Sequence, residues 1–88
     1  MEYSQLQIIN SSAFFDTKIK IIKIPQHVKE IGVNAFSYCD QHEENVFSEN
    51  SELIIIKNNS FSCMVLNKIL IPLSVVEIQR YAFIVALN

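Results

Sequence analysis

One pattern recurs four times along the chain. A phenylalanine follows Ala or Ser, an isoleucine stands five residues before it, and another aliphatic stands three residues before that isoleucine. The sets are Leu6, Ile9, Ala13 and Phe14; Val28, Ile31, Ala35 and Phe36; Leu53, Ile56, Ser60 and Phe61; Val75, Ile78, Ala82 and Phe83. The phenylalanines lie 22, 25 and 22 residues apart. Four agreements at fixed offsets exceed what chance gives a half-apolar chain, and a period of about 20–50 residues marks a stacked repeat architecture. A single unit cannot bury its own apolar edge, so the copies must pile on one another to make a continuous core.

The second and fourth copies reach further back. Ile22-Lys23-Ile24-Pro25 precedes Val28, Ile69-Leu70-Ile71-Pro72 precedes Val75, and Ile19 and Leu66 stand three residues before these blocks. Alternation of Ile-x-Ile predicts a short strand whose alternate side chains point to one side. Proline ends it, because it has no N–H for a ladder. A two-residue step turns the chain, and Val and Ile return to the core. The small Ala beside Phe predicts a short helical or 3₁₀ turn with the ring at the centre.

The third copy is irregular, with three extra residues between Phe36 and Leu53. We place one after Cys39 and two after Phe47, so that Phe47 takes the role of Ile24 and Ile71. This register sets Lys20 beside Glu43, and Glu44 beside Lys68, on adjacent parallel strands, where opposite charges are favourable. It also sets Asn45 where Ile22 and Ile69 point inward. The alternative, Phe47 at the position of Ile22, buries Glu49 instead, which is worse.

Composition excludes several classes. The chain has 88 residues, half of them hydrophobic and 18% charged, with a net charge of −2. Such a chain is neither a disordered tail nor a strongly basic nucleic-acid ligand. Lys20, Lys23, Lys29 and Lys57 are spread over different faces, so Tyr3, Tyr38 and Tyr81 do not make a base-stacking groove. Gly32 is the lone glycine, so no glycine-rich phosphate cradle exists. There is no Gly-x-Ser-x-Gly elbow. Asp40, Glu43 and Glu44 beside His42 read as a solvated turn, and His27 and His42 lack zinc-type spacing. We expect no enzyme activity, cofactor, metal or nucleic-acid partner. No apolar run approaches the ~18–20 residues of a membrane span, and Met1 to Gln5 lacks the features of a signal peptide. Asn10-Ser11-Ser12 and Asn58-Asn59-Ser60 fit the glycosylation pattern, which we read as chance matches.

The block from Ile22 to Cys39, Ile-Lys-Ile-Pro-Gln-His-Val-Lys-Glu-Ile-Gly-Val-Asn-Ala-Phe-Ser-Tyr-Cys, resembles the BspA-type leucine-rich repeat. That family's pattern is Ile-x-Ile-Pro-x-Ser-Val-x-x-Ile-Gly-x-x-Ala-Phe-x-x-Cys, and the one departure here is His27 in place of Ser. Leu70 to Phe83 matches too, with Gln79 for Gly and Ala86 for Cys. Phe47 to Leu53 resembles the variant turn Phe-Ser-x-Asn-Ser-x-Leu of protozoan members. The resemblance implies an α/β leucine-rich-repeat solenoid, strand-rich and right-handed, with a short parallel sheet on its concave face. It implies no catalytic residues and no cofactor. It implies a non-catalytic protein-binding module, of the kind found in surface adhesion proteins whose ligands include extracellular-matrix or host-surface proteins.

The expected organisation is one domain over residues 1–88: a half repeat at 1–17, then units 18–39, 40–64 and 65–88. Strands are expected near 20–24, 43–47 and 67–71, and extended or 3₁₀ segments near 28–31, 53–56 and 75–78. The expected core comprises Leu6, Ile9, Phe14, Val28, Ile31, Phe36, Leu53, Ile56, Phe61, Val75, Ile78 and Phe83 of the four sets, together with Ile19, Ile22, Ile24, Phe47, Leu66, Ile69 and Ile71. Candidate partner-binding residues on the concave strands are Ile21, Lys23, Glu44, Val46, Lys68 and Leu70. Cys39 and Cys63 fall near equivalent positions of successive rungs, within reach of a disulfide, although the family places a buried free cysteine there. Without recognisable polar caps, the array reads as a slice of a longer one or a very short gene product. Two other functional readings stay open: a structural fragment that self-associates through open ends, and an intracellular scaffold.

Overall fold

The structure is a computed structural model that describes residues 6–17, 21–38, 44–62 and 70–83. Each copy contributes one rung to a stack. Pairs of β-branched or alternating residues form strands β1 (Ile8–Ile9), β3 (Glu30–Ile31), β5 (Ile55–Ile56) and β6 (Glu77–Ile78). These make a four-stranded parallel sheet in the order β1-β3-β5-β6. The Ile-x-Ile segment forms β2 (Ile21–Ile24), which pairs in parallel with β4 (Glu44–Phe47) in a second sheet.

Registers locate the extra residues of the third copy. In the four-stranded sheet Ile9 pairs with Ile31, Ile31 with Ile56 and Ile56 with Ile78, so the motif isoleucines form one column. In the second sheet Ile24 pairs with Phe47, Lys23 with Val46, Ile22 with Asn45 and Ile21 with Glu44. Phe47 thus holds the place of Ile24, as the sequence predicts. The charge pairs behind that register cannot be followed, because Lys20, Glu43 and Lys68 lie outside the described residues. So does most of the expected strand at 67–71, and its described residues, Leu70 and Ile71, are not in a strand.

The segments carrying Ala-Phe are turns, and the described residues contain no helix. The reason lies in one backbone position. Ser12, Asn34, Asn59 and Tyr81, each two residues before the phenylalanine, all have positive φ, between 58° and 63°. The N–H of the next residue donates back three residues in every copy: Ala13 to Asn10, Ala35 to Gly32, Ser60 to Lys57 and Ala82 to Gln79. A left-handed third residue closing such a bond is the pattern of a type II turn, and it cannot be continued as a right-handed helix. Asp16 and Tyr38, two residues past their phenylalanines, are left-handed as well.

The core is the sum of the columns. Ile9, Ile24, Val28, Ile31, Ala35, Phe36, Leu53, Ile56, Phe61 and Ala82 are buried, with Phe47, Ile71, Val75 and Phe83 packed against them. The four motif phenylalanines stack face to face, at centroid separations of 5.2 Å, 5.3 Å and 5.2 Å along the series Phe14, Phe36, Phe61, Phe83. Offset rings at this spacing attract each other beyond their area burial, by about 0.5–1.5 kcal/mol per pair. Three residues expected in the core, Leu6, Phe14 and Ile78, are partly exposed instead. All three belong to the first or last described rung, where a column has a described neighbour on one side only. Ile19, Leu66 and Ile69 lie outside the described residues, as do Cys39 and Cys63; Ile22 is described only as a member of β2.

Gly32 allows the rungs to close up. A Cβ at this position would lie 2.6 Å from Ser11 N, 2.7 Å from the Asn10 carbonyl carbon and 2.8 Å from Ile9 O. These are backbone atoms of the preceding rung, which cannot swing aside, and Gly32 N donates to Ile9 O at 2.7 Å.

Candidate functional site

The second sheet positions most of the partner-binding residues expected from the sequence. Its register makes Ile21 the lateral neighbour of Glu44, and Lys23 that of Val46. An aliphatic residue therefore lies beside a charged one twice, in opposite order on the two strands. Lys23 is exposed. Leu70, next to Ile71 and Pro72, is 74% exposed. Lys68 lies outside the described residues.

A second surface, not expected from the sequence, lies along the four-stranded sheet. The outward members of its paired strands run Ile8, Glu30, Ile55, Glu77, alternating apolar and acidic from rung to rung. Lys57 Nζ donates to Glu30 Oε2 at 2.8 Å, tying the second and third rungs. Glu52, in the variant turn, takes Lys29 Nζ on Oε1 at 3.2 Å and meets His27 Nδ1 with Oε2 at 3.0 Å. The hydrogen bond with His27, then that from Lys29, hold the Glu52 carboxyl below its ordinary value of 4.5. The column just before the outward row changes character along the stack: Gln7 and Lys29 give way to Ile54 and Val76, which are exposed. Aligning the copies column by column would have shown this change, since the motif offsets fix the columns.

Behind these surfaces a polar seam runs through the turns. Ser37 Oγ donates to Asn59 O, lies 3.0 Å from Asn34 Oδ1 and lies 3.1 Å from Ser62 Oγ. Ser60, in the column of Ala13, Ala35 and Ala82, is fully buried and its hydroxyl has no hydrogen-bond partner among the described residues. The seam joins rungs through Asn34, Ser37, Asn59 and Ser62. No group of three or more His, Cys, Asp or Glu that could hold a metal ion occurs among the described residues. Along the four-stranded sheet the described residues present a surface of mixed aliphatic and charged side chains.

The family model of the BspA-type leucine-rich repeat region matches residues 2–87, in six copies. The chain belongs to the BspA-type leucine-rich repeat family. Six copies of 22–25 residues do not fit in that span, so the model's copies do not correspond one to one with the rungs. A solved structure, the pneumococcal vaccine antigen PcpA, is similar to this BspA-type chain with a TM-score of 0.89 and 30% sequence identity. The similarity covers 92% of this chain and 20% of that one. No curated protein matches. Repeat proteins of this family are interaction scaffolds, and the motif residues that define it here are core residues.

Proposed function

We propose that this chain is a non-catalytic protein-binding module of a surface adhesion-type protein, and that Ile21, Lys23, Glu44, Val46, Lys68 and Leu70 make the contact. The observation that carries the reading is Leu70, which is 74% exposed beside Ile71, a residue packed against the core. An apolar centre with a charged rim is the usual composition of a protein interface. The backbone register of Lys23 with Val46 and Ile21 with Glu44 supports the same face. Similarity to an antigen supports a position that antibodies, and hence other proteins, can reach. Extracellular-matrix proteins are the ligand class to test first.

The test is surface-plasmon binding of the purified chain to a panel of matrix proteins. Saturable binding to at least one is expected, weakened about tenfold or more by Leu70→Asp or Val46→Asp. Saturable binding that both substitutions leave unchanged would move the contact elsewhere. No binding across the panel would remove the matrix from consideration.

A further inference from the structure

Two stretches fit the acceptor pattern for asparagine-linked glycans, Asn10-Ser11-Ser12 and Asn58-Asn59-Ser60. The pattern requires an asparagine, any residue but proline, and a hydroxyl two positions on. The fold sets the second stretch apart, because its hydroxyl does nothing for the packing. Ser60 is fully buried, and its Oγ has no hydrogen-bond partner among the described residues. Ala13, Ala35 and Ala82 fill the same column in the other copies. A buried hydroxyl without a partner costs stability, so packing alone favours alanine at this position. Ser12, the hydroxyl residue of the first stretch, is exposed and carries no such cost. Asn58 is exposed at the first central position of its type II turn, with left-handed Asn59 after it. Ser11, Val33 and Arg80 hold the place of Asn58 in the other copies, and no member of that column is buried. A bulky group on Asn58 therefore leaves the core side chains where they are.

We propose that Asn58 is a glycan attachment site, and that the Ser60 hydroxyl serves the attachment reaction rather than the fold. The inference rests on the reading of the chain as part of a surface protein, since surface proteins pass through the compartment where such transfer takes place. In the step, the side-chain nitrogen of Asn58 attacks the anomeric carbon of an oligosaccharide carried on a lipid diphosphate. A C–N bond forms and the C–O bond to the diphosphate breaks. The lipid diphosphate leaves with the electron pair, and the amide nitrogen gives up one proton. The folded stack fixes when this can happen. Asn34 N donates to Asn58 O at 3.1 Å, Phe36 N to Ser60 O at 2.7 Å, and Asn59 N to Arg80 O at 3.3 Å, while Ser37 Oγ donates to Asn59 O. The acceptor segment is thus held by the rungs on both sides, with the Ser60 hydroxyl out of reach. An enzyme that must contact that hydroxyl meets it only before the third rung closes, so attachment precedes folding of that rung.

The experiment delivers the full chain into the secretory lumen of cultured eukaryotic cells behind an added, cleavable leader. Peptide mapping by mass spectrometry follows treatment with a glycan-removing amidase, which leaves aspartate in place of Asn58 wherever a glycan was attached. Conversion at Asn58 in most of the delivered chain is expected. Ser60→Ala, which keeps Asn58 and fits the alanine column, is expected to lose it. A bare Asn58 in the delivered wild-type chain overturns the proposal, as does conversion at Asn10 alone or conversion at Asn58 that Ser60→Ala leaves unchanged. A second arm tests the order of events. Purified, unmodified chain is offered to microsomal membranes made permeable and supplied with the lipid-diphosphate donor. The folded wild-type chain is expected to stay bare, while the Phe36→Ala/Phe61→Ala double variant, shown to be unfolded by circular dichroism, is modified. Modification of the folded chain, or none of the unfolded one, overturns the proposed order. The leader supplies the compartment, so a bare Asn58 counts against the site itself. Ligand binding is judged on the unmodified purified chain, so that reading and this one fail separately.

Discussion

The middle rungs and the outer rungs are built from the same residues and are not equivalent. Ile31 and Ile56 are fully buried, while Ile78, in the same column, is about half exposed. Phe36 and Phe61 are buried in the ring stack, while Phe14 is 38% exposed. Offsets and backbone turns agree in all four copies, so the difference comes from neighbours alone. In a one-dimensional stack a rung's stability is largely a property of its two interfaces, and each outer described rung has one described interface.

The sharpest way to break this comparison is to truncate rings. Phe36→Ala should cost about 3–5 kcal/mol, the usual range for a buried aromatic. Phe14→Ala should cost roughly 1–2 kcal/mol, because its ring is already partly in water. Chemical denaturation of both variants measures the gap, and equal losses would mean that the stack does not behave as a sum of interfaces. Gly32→Ala comes next. A methyl group within 2.8 Å of three backbone atoms should cost roughly 1–3 kcal/mol or more, as overpacking does. Val33→Ala is the control, and if the two melt alike the rungs are not held at this spacing.

Ser60→Ala should act in the other direction. Its buried hydroxyl has no hydrogen-bond partner among the described residues, and alanine is what the first, second and fourth copies carry in that column. Removing an unsatisfied buried group should stabilise the chain by about 1 kcal/mol; a loss of stability would reveal a partner for that hydroxyl. Tyr81→Asn tests an outer rung by the same logic. Tyrosine in the left-handed region carries a cost of roughly 1–2 kcal/mol, which asparagine, present in that column at Asn34 and Asn59, relieves in part. A gain of about 0.5–1 kcal/mol in thermal unfolding is expected.

The smallest effect concerns Glu52. Its carboxyl titrates below the ordinary value because the folded chain sets His27 and Lys29 against it. A carboxyl with a depressed folded value contributes stability that is present above the unfolded value and lost as pH falls through the folded one. The loss therefore falls on the acid side of 4.5, and it is slight, because surface ion pairs contribute little. Carbon-detected NMR titration should place the Glu52 midpoint below 4.5 and move it upward in His27→Ala. An unmoved midpoint would remove His27 as the main cause.

The column structure was legible because apolar offsets recorded it four times over. The register of the irregular copy was legible for another reason: burying Glu49 was the alternative, and charge burial is costly enough to decide between two alignments. Turns at the Ala/Ser-Phe positions were among the expectations, but their left-handed backbone was not legible. Ser12, Asn34, Asn59 and Tyr81 share a left-handed backbone and no common chemistry, and asparagine at two of them is a weak sign on its own. Exposure of Leu6, Phe14 and Ile78 was hidden because burial is set by what lies above and below a rung. For the candidate face, the lateral neighbours followed from the alignment of Phe47 with Ile24. The rise of apolar character from Gln7 to Val76 on the other sheet is present in the columns, at exposed positions that a repeat of buried residues does not mark.

The ring stack also sets what this chain can absorb. Phe36 and Phe61 are 25 residues apart, against 22 for the pairs on either side, yet their centroid separation differs from those pairs by 0.1 Å. The added length is taken up outside the core, two residues of it in the turn between Phe47 and Leu53. Length there is decoupled from rise, so that turn is where new sequence can be grafted, and a binding loop of foreign origin placed between Asn50 and Ser51 would leave the scaffold beneath it in step.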